Sequence, residues 1–121
     1  MSARLAIDSE RNGRAHVVQP VGALDQDTAG TFEDELKRVE ATDAAEIVID
    51  LRRLDSIDLV GLNTLIHAAA RSHKRGGGLR LMRGPDRVHR RFQSTGLETR
   101  LPFTDRYAGG RAPSGPAPSD D

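Results

Sequence analysis

The sequence contains no cysteine, and aromatic residues make up only 3% of it. Without cysteine there can be no disulfide bond, thiolate metal site or cysteine nucleophile. No apolar run approaches the roughly 20 residues that a membrane-spanning helix needs, and the N-terminus lacks the basic and then apolar stretches of a secretory signal. We therefore expect no membrane insertion and a cytoplasmic location.

The 121 residues suit one domain with one modest core, since 36% of them are hydrophobic and 30% are charged. The net charge is zero, but it is unevenly spread. Residues 1–60 hold 13 acidic and 7 basic residues, a net of −6, and residues 61–121 hold 5 and 11, a net of +6.

The densest positive charge lies between residues 83 and 91. It consists of Arg83, Arg87, Arg90, Arg91 and His89. One interpretation is a basic docking face for an acidic partner or a phosphate; the other is a solvated helix face. Because no stacking aromatics are interleaved with these residues, we expect no direct nucleic-acid binding.

The first half of the chain predicts two strands, a helix and a third strand. Residues 5–7 alternate in polarity, and Asn12-Gly13 predicts a hairpin turn into a strand over residues 15–21. Pro20 has no N–H to donate, so we expect it at an edge or strand end. A helix capped by Asp27 or Thr28 then runs to residue 40. The apolar run at residues 47–49 predicts a strand over 46–51 that is buried on both faces.

The second half predicts two more helices and two more strands. A helix over residues 61–75 has an apolar stripe and ends at three glycines. The stripe comprises Leu62, Leu65, Ile66 and Ala69, and the outward positions are Asn63, His67, Arg71 and Lys74. Residues 79–82 predict a strand, and Pro85 suits the first turn of a third helix that ends at Gly96. Residues 101–103 predict a short final strand or an extended segment.

This order of elements predicts a single α/β domain over residues 1–105. We expect a mixed four- to five-stranded sheet with helices packed mainly on one side. Residues 106–121 are rich in proline, glycine and serine and have almost no apolar bulk. Such a segment cannot bury enough surface to offset its ordering entropy, so it is predicted to be a disordered tail.

The most informative motif is Asp-Leu-Val-Gly-Leu at residues 58–62, which follows a buried strand and opens a helix. Gly-Ala-Leu-Asp at residues 22–25, the glycine loop and strand at 76–81, and the helix at 88–97 with its final Gly-Leu accompany it. With these motifs in this order, the chain resembles the STAS domain family, the fold of bacterial anti-sigma factor antagonists. The resemblance covers residues 5–105.

The resemblance implies a function. In the family this turn usually reads Asp-Ser-Ser-Gly-Leu or Asp-Ser-Thr-Gly-Leu, and a kinase phosphorylates the second hydroxyl residue. The matching residue here is Val60, which cannot accept phosphate. The resemblance therefore implies a protein-interaction module that binds an anti-sigma factor kinase and frees a sigma factor, without the usual serine phospho-switch. It implies a partner-binding set of Asp25, Asp58, Leu59, Val60, Gly61 and Leu62.

Several alternatives stay open for these residues. Leu59 and Val60 could pack inward, or could mediate a homodimer, and Asp25 and Asp58 could act only as helix caps. Val60 could give permanent activity or mark a decayed site. Modification of Ser56 or Thr64 could replace the lost hydroxyl, although neither occupies the family position.

An enzymatic function is not predicted. Asp55 with Asp58, and Asp25 with Asp27, resemble acid–base pairs, but they lie at turns and helix starts, where aspartate is expected as a cap. His67 and His73 are six apart on a helix, which is poor spacing for metal ligands. No phosphate-binding loop or Gly-x-Ser-x-Gly motif is present. We therefore expect no catalysis, metal or cofactor.

Two other functions fit the same resemblance. The chain could be a STAS accessory subunit of a transporter or a signalling scaffold, since the missing hydroxyls fit such a role equally well. It could also be a STAS domain that senses a nucleotide or another small ligand, for which the arginines at residues 83–91 are the motive.

Overall fold

The computed structural model describes residues 4–104 as six strands, three α-helices and one 3₁₀ turn. The strands are β1 Leu5–Asn12, β2 Ala15–Leu24, β3 Glu46–Asp50, β4 Leu54–Ile57, β5 Leu79–Met82 and β6 Phe103–Thr104. The helices are α1 Ala29–Glu40, α2 Leu59–Lys74 and α3 Asp86–Ser94, and the 3₁₀ turn is Glu98–Arg100. The predicted tail, residues 106–121, lies outside the described part of the chain. No helix in residues 4–104 is long and apolar enough to cross a bilayer.

Strand β2 organises the sheet because it has three partners. It pairs antiparallel with β1 through a turn at Gly13, whose φ of +65° is easily adopted by glycine. On its other edge, β2 pairs in parallel first with β3 and then, from Gly22 onward, with β4, with a register shift between Gly22 and Ala23. The parallel order continues from β3 to β5 to β6. Helices α1, α2 and α3 make the parallel crossover connections, as parallel pairing requires.

The predicted α/β class, the mixed sheet and the helices on one side are confirmed. The sheet has six strands, whereas four to five were expected, because residues 54–57 form β4 and not a simple connection. This strand is only four residues long, and its two middle residues are exposed. Such a short segment carries no recognisable alternation, and its partner is a stretch of β2 that runs beyond the predicted end at residue 21.

Pro20 lies inside β2 and not at its end, in contrast to the prediction. Residue 20 falls between the part of β2 that pairs with β3 and the part that pairs with β4. The N–H of Gly22 donates to the Arg53 carbonyl on the β4 side, and residue 20 has the same orientation two positions earlier. The backbone nitrogen of Pro20 therefore faces the interval between the β3 pairing and the β4 pairing. Because no partner carbonyl is paired there, its lack of an N–H costs no ladder hydrogen bond.

The main core lies between the sheet and the helices. Helices α1 and α3 each bury the apolar residues of one face, and these are Phe32, Leu36, Val39, Val88 and Phe92. Helix α2 buries Gly61, Leu62, Thr64, Leu65, Ala68 and Ser72. The predicted stripe is thus right for Leu62 and Leu65, whereas Ile66 and Ala69 are only partly buried at its border. Arg71, expected to face solvent, is paired with Glu33 and Glu40 of α1 at 2.7 and 2.9 Å.

The central strand β3 is buried on both faces, as its apolar run predicted. Ile47 and Ile49 face the helices, and Val48 joins a second small cluster on the opposite face with Ala15, Val17 and Met82. Asp50 ends the strand fully buried. Its carboxylate accepts from Gln19 Nε2 at 3.0 Å and from Arg52 Nη2 at 2.8 Å, so the buried charge is paired.

Leu65 and Leu59 provide a test of this packing, because they lie on one helix with 0% and 62% of their surface exposed. We expect Leu65→Ala to lower the free energy of unfolding by about 2–5 kcal/mol through the cavity it leaves. Leu59→Ala should change it by less than about 0.5 kcal/mol. Denaturant unfolding would measure both, and equal losses would contradict the described burial of α2.

Glu35 ties α1 to β1 and has an unusual acidity. Its carboxylate accepts from Ser9 Oγ at 2.6 Å and from Arg38 Nε and Nη2 at 2.9 and 2.6 Å. The hydrogen bond from Arg38 is the largest influence and lowers the pKa of Glu35 from 4.5 to about 2. A carboxylate whose pKa is depressed on folding stabilises the fold above its unfolded pKa.

We expect this stabilisation to be present above pH 4.5 and to be lost as the pH falls toward 2. Glu35→Gln removes the titrating group, so the stability of that variant should fall less steeply across this range. Urea unfolding at several pH values would measure both slopes. Asp34→Asn is the matched control on the exposed face of α1, and an identical slope for Glu35→Gln and the wild type would refute the assignment.

Candidate functional site

The first turn of α2 is held in place by Asp58. This residue is the N-cap and has an extended backbone, with φ −110° and ψ −174°. Its Oδ1 accepts from the Gly61 N–H at 2.9 Å, which satisfies one of the exposed donors of the helix. Its Oδ2 accepts from the Gln26 N–H at 3.1 Å, in the loop before α1. One carboxylate therefore joins the start of α2 to the β2–α1 loop.

Gly61 lets the helix start lie against the end of β2. A Cβ at this position would sit 2.5 Å from the Leu24 carbonyl oxygen and 2.8 Å from Ile57 Cγ1. The first contact cannot be relieved without movement of the backbone, and the second would require the Ile57 side chain to move as well. Glycine is required here for space and not for an unusual dihedral angle, and the close approach fixes the direction in which α2 leaves the sheet.

Two apolar side chains project from this fixed turn. Leu59 is 62% exposed and Val60 is 42% exposed, and no other large hydrophobic residue in the described part of the chain is exposed. Leu62, predicted as a member of the same site, is only 1% exposed. It belongs to the core, since the helical turn between residues 59 and 62 rotates it toward the sheet. The accessible apolar surface is therefore the pair Leu59 and Val60, which we call the contact pair.

A sequence model described as the STAS domain matches residues 6–108, which is most of the chain. The chain belongs to the STAS domain family. No curated protein matches the sequence. The described turn of residues 58–62 is thus the start of the second helix of a STAS domain, in the place where the family motif was found in the sequence.

Solved structures agree with this assignment. An anti-sigma factor antagonist from Mycobacterium paratuberculosis has a TM-score of 0.75 and 25% identity, with 89% of this chain and 91% of that chain covered. The unphosphorylated anti-sigma factor antagonist SpoIIAA has a TM-score of 0.68 and 19% identity, covering 82% and 86%. A sulfate transporter family protein from Wolinella succinogenes has a TM-score of 0.65 and 22% identity, covering 77% and 78%. The last two show the STAS fold alone.

Asp25 lies in the loop that Asp58 joins to the start of α2, and its side chain is bound within that loop. Its carboxylate accepts from the Asp27 N–H at 2.9 Å and forms an ion pair with Arg4 at 3.2 Å. Arg4 also reaches Asp27 at 2.6 Å. Thr28 is the residue at the helix start, and its hydroxyl donates to the Ala23 carbonyl without capping α1. Asp25 and Asp58 therefore both act locally, in shaping the two loops of this STAS domain.

Helix α3 supports the turn from the other side. Arg91 Nε donates to the Ile57 carbonyl at 3.0 Å, immediately before the cap. Arg87 Nε donates to the Asp55 carbonyl at 2.9 Å, and its Nη2 donates to Asp55 Oδ1 at 3.2 Å. The sequence predictions missed this role. The i, i+4 spacing of the two arginines, which puts them on one helix face, is the signal that could have revealed it.

The basic cluster predicted at residues 83–91 is therefore not one surface. Arg87 and Arg91 are committed to β4, and Arg83 lies 3.9 Å from Asp86. His89 is only 2% exposed, and its Nε2 lies 2.8 Å from Glu98 Oε2. That hydrogen bond is the largest influence on Glu98 and lowers the pKa of its carboxyl group. Of the five residues, Arg90 is the one that projects from α3 without a described partner.

The two alternative hydroxyls differ in accessibility. Thr64 is 7% exposed, and its Oγ1 donates to the Val60 carbonyl at 3.0 Å. A kinase could reach it only after the first turns of α2 open. Ser56 lies in the middle of β4 with an exposed side chain. Modification of Ser56 stays an untested prediction.

The paired aspartates do not form an acid–base site in the structure. Asp58 is a helix cap, Asp55 is paired with Arg87, and Asp27 is paired with Arg4. Within residues 4–104, no group of three or more histidine, aspartate or glutamate side chains is placed to hold a metal ion. The polar residues around the turn hold the backbone in place, and the contact pair is what the turn presents outward.

The double role of Asp58 can be tested by stability and amide exchange. We expect Asp58→Ala to cost about 1–2 kcal/mol of unfolding free energy, because it removes the cap. The amides of Gly61 and Gln26 should then exchange faster with solvent. Asp55→Ala is the matched control. The Asp55 side chain is 72% exposed, so its ion pair with Arg87 should contribute less than about 1 kcal/mol to the free energy of unfolding. Unchanged exchange at Gln26 would contradict the link between the two loops.

Proposed function

We propose that this STAS domain is a protein-interaction module of the anti-sigma factor antagonist type. It binds an anti-sigma factor of the serine kinase class through the contact pair and thereby frees a sigma factor. The observation that carries the proposal is the exposure of Leu59 and Val60 on a turn whose backbone is fixed by Asp58 and Gly61. The similarity to an anti-sigma factor antagonist at 25% identity supports the same class of partner.

The exposed aliphatic pair favours a protein partner. Apolar side chains on a water-exposed turn gain free energy when a second surface covers them, at roughly 25 cal/mol for each square ångström buried. The turn is also rigid before binding, since Asp58 caps it internally and hydrogen bonds from the loop before α1 and from α3 hold it from outside. A preorganised surface loses little conformational entropy on association.

The proposed antagonist has no phospho-switch at the family position. A phosphate there would add about −1.5 to −2 charges beside Asp58 and would weaken a packed contact. Val60 has nearly the shape of threonine but offers no oxygen to phosphorylate. The turn therefore keeps the form of an unmodified antagonist, and we expect binding that ATP does not reverse. The proposal includes a cytoplasmic location and no catalytic activity.

One alternative has an observation in its favour. A sulfate transporter family protein has the same fold, so the fold fits a role as an accessory subunit of a transporter or signalling scaffold as well. In that role, the contact pair would bind an ATPase or transporter subunit. Copurification with such a subunit, and not with an anti-sigma factor, would favour this alternative.

Calorimetric titration into the anti-sigma kinase encoded nearest the gene would test the proposal. We expect similar affinity with ADP and with ATP, and no phosphate on the protein afterward by mass spectrometry. Leu59→Asp should weaken binding at least tenfold, because it places a charge in the packed contact. Thr99→Asp, exposed in the 3₁₀ turn Glu98–Arg100 away from the contact pair, is the matched charge control and should leave binding within about twofold.

Val60→Ser tests the missing switch. The variant should bind with ADP as the wild type does, and it should be phosphorylated and released with ATP. If the wild type does not bind the kinase in the presence of either ADP or ATP, the proposed partner class is rejected. Binding that resists Leu59→Asp would reject the contact pair as the surface, and loss of wild-type binding with ATP would reject the claim of an unswitched antagonist.

A further inference from the structure

An apolar groove of about 660 Å³ lies at the far end of α2 from the contact pair. One wall is the C-terminal half of α2. The other is formed by the start of β5, the glycines before it and the segment at residues 97–102. Its volume lies in the range of small-molecule sites, which hold mostly apolar side chains and a few polar groups.

The base of the groove is continuous with the main core. Leu79 and Leu101 are 5% and 8% exposed, so they close the groove from below. Ile66, Ala69 and Leu97 are partly buried and leave the rest of their apolar surface facing the groove. This is the border of α2 that the sequence assigned to the core and that the sheet does not cover.

The rim of the groove is basic. Its charged or titratable residues are His73, Lys74, Arg80 and Arg100, and no aspartate or glutamate occurs among its lining residues in the described range. Arg80 lies 4.0 Å from Glu46 and is partly neutralised. Lys74 and Arg100 are exposed and make no ion pair with residues 4–104. The potential at the mouth is therefore positive above an apolar floor.

We propose that this groove binds a small amphipathic anion, an unbranched aliphatic monocarboxylate of medium chain length. The aliphatic chain would lie along Ile66, Ala69 and Leu97, and the carboxylate would pair with Lys74 and Arg100 at the rim. The apolar floor and the cationic rim together match this chemistry. The rim disfavours a cation with the same chain, and the floor gives no advantage to a short acid without an aliphatic chain. The site does not rest on the proposed partner binding, because the contact pair lies at the opposite end of α2.

Amide-resolved NMR titration with decanoate, kept below its micelle concentration, tests the site. We expect saturable shifts centred on the amides of Ala69, Ala70, Gly77 and Gly78. Decanoate should bind at least tenfold more tightly than butanoate, which carries the same charge on a shorter chain. It should also bind at least tenfold more tightly than decyltrimethylammonium, which carries the opposite charge on the same chain.

Charge reversal at the rim locates the carboxylate. The double variant Lys74→Glu, Arg100→Glu should lower the affinity for decanoate at least tenfold. The melting temperature of the variant should stay near that of the wild type, since both side chains are exposed. Arg90→Glu, on the exposed face of α3 outside the groove, is the matched control and should bind within twofold of the wild type.

The proposal would be overturned by any of four results. The first is no saturable shift with decanoate, and the second is equal binding of decyltrimethylammonium, which would indicate apolar adsorption only. The third is shifts centred on Leu59 and Val60, which would place the chain at the contact pair. Equal weakening by the rim variant and by Arg90→Glu would likewise reject the rim as the carboxylate site.

Discussion

The close approach of α2 to the end of β2 is the constraint on which the rest of the described surface at both ends of α2 depends. Residue 61 has no room for a side chain against the Leu24 carbonyl, and Asp58 links the same turn to the loop before α1. Once these contacts are made, the helix axis is set. The exposed pair at the start of α2 and the apolar groove at its end are then positioned by a single element.

The residues that shape the turn are distinct from the residue that would carry a phosphate. Asp58 and Gly61 satisfy the hydrogen bonds and the packing of the helix start, whereas residue 60 projects outward and makes neither contribution through its side chain. A hydroxyl can therefore be exchanged for a methyl group without disturbing the fold. Regulation by phosphate can be removed from such a STAS domain while its surface geometry stays the same.

Much of the fold follows from local patterns. Hydrophobic periodicity indicates which face of a helix or strand is buried, and glycine and proline residues indicate where an element ends. The helices around Phe32, Leu65 and Phe92, and the two-sided burial of Val48, were predictable in this way. Strand β4 was not predictable, since a four-residue segment has too little pattern of its own and becomes a strand only by pairing with β2. The support of the turn by Arg87 and Arg91 depends on how α3 packs against β4. The sequence does not reveal that packing, so its arginines suggested an exposed basic face.

The dependence on α3 has a consequence for how the molecule is made. Arg91 donates to the Ile57 carbonyl across 34 residues of sequence, and Arg87 reaches Asp55 across 32. A growing chain that has exposed Leu59 and Val60 but not yet α3 lacks both donors. The turn then presents its apolar side chains on a backbone that is only partly held. The backbone of the turn is therefore completed only once α3 has been made and has docked against β4.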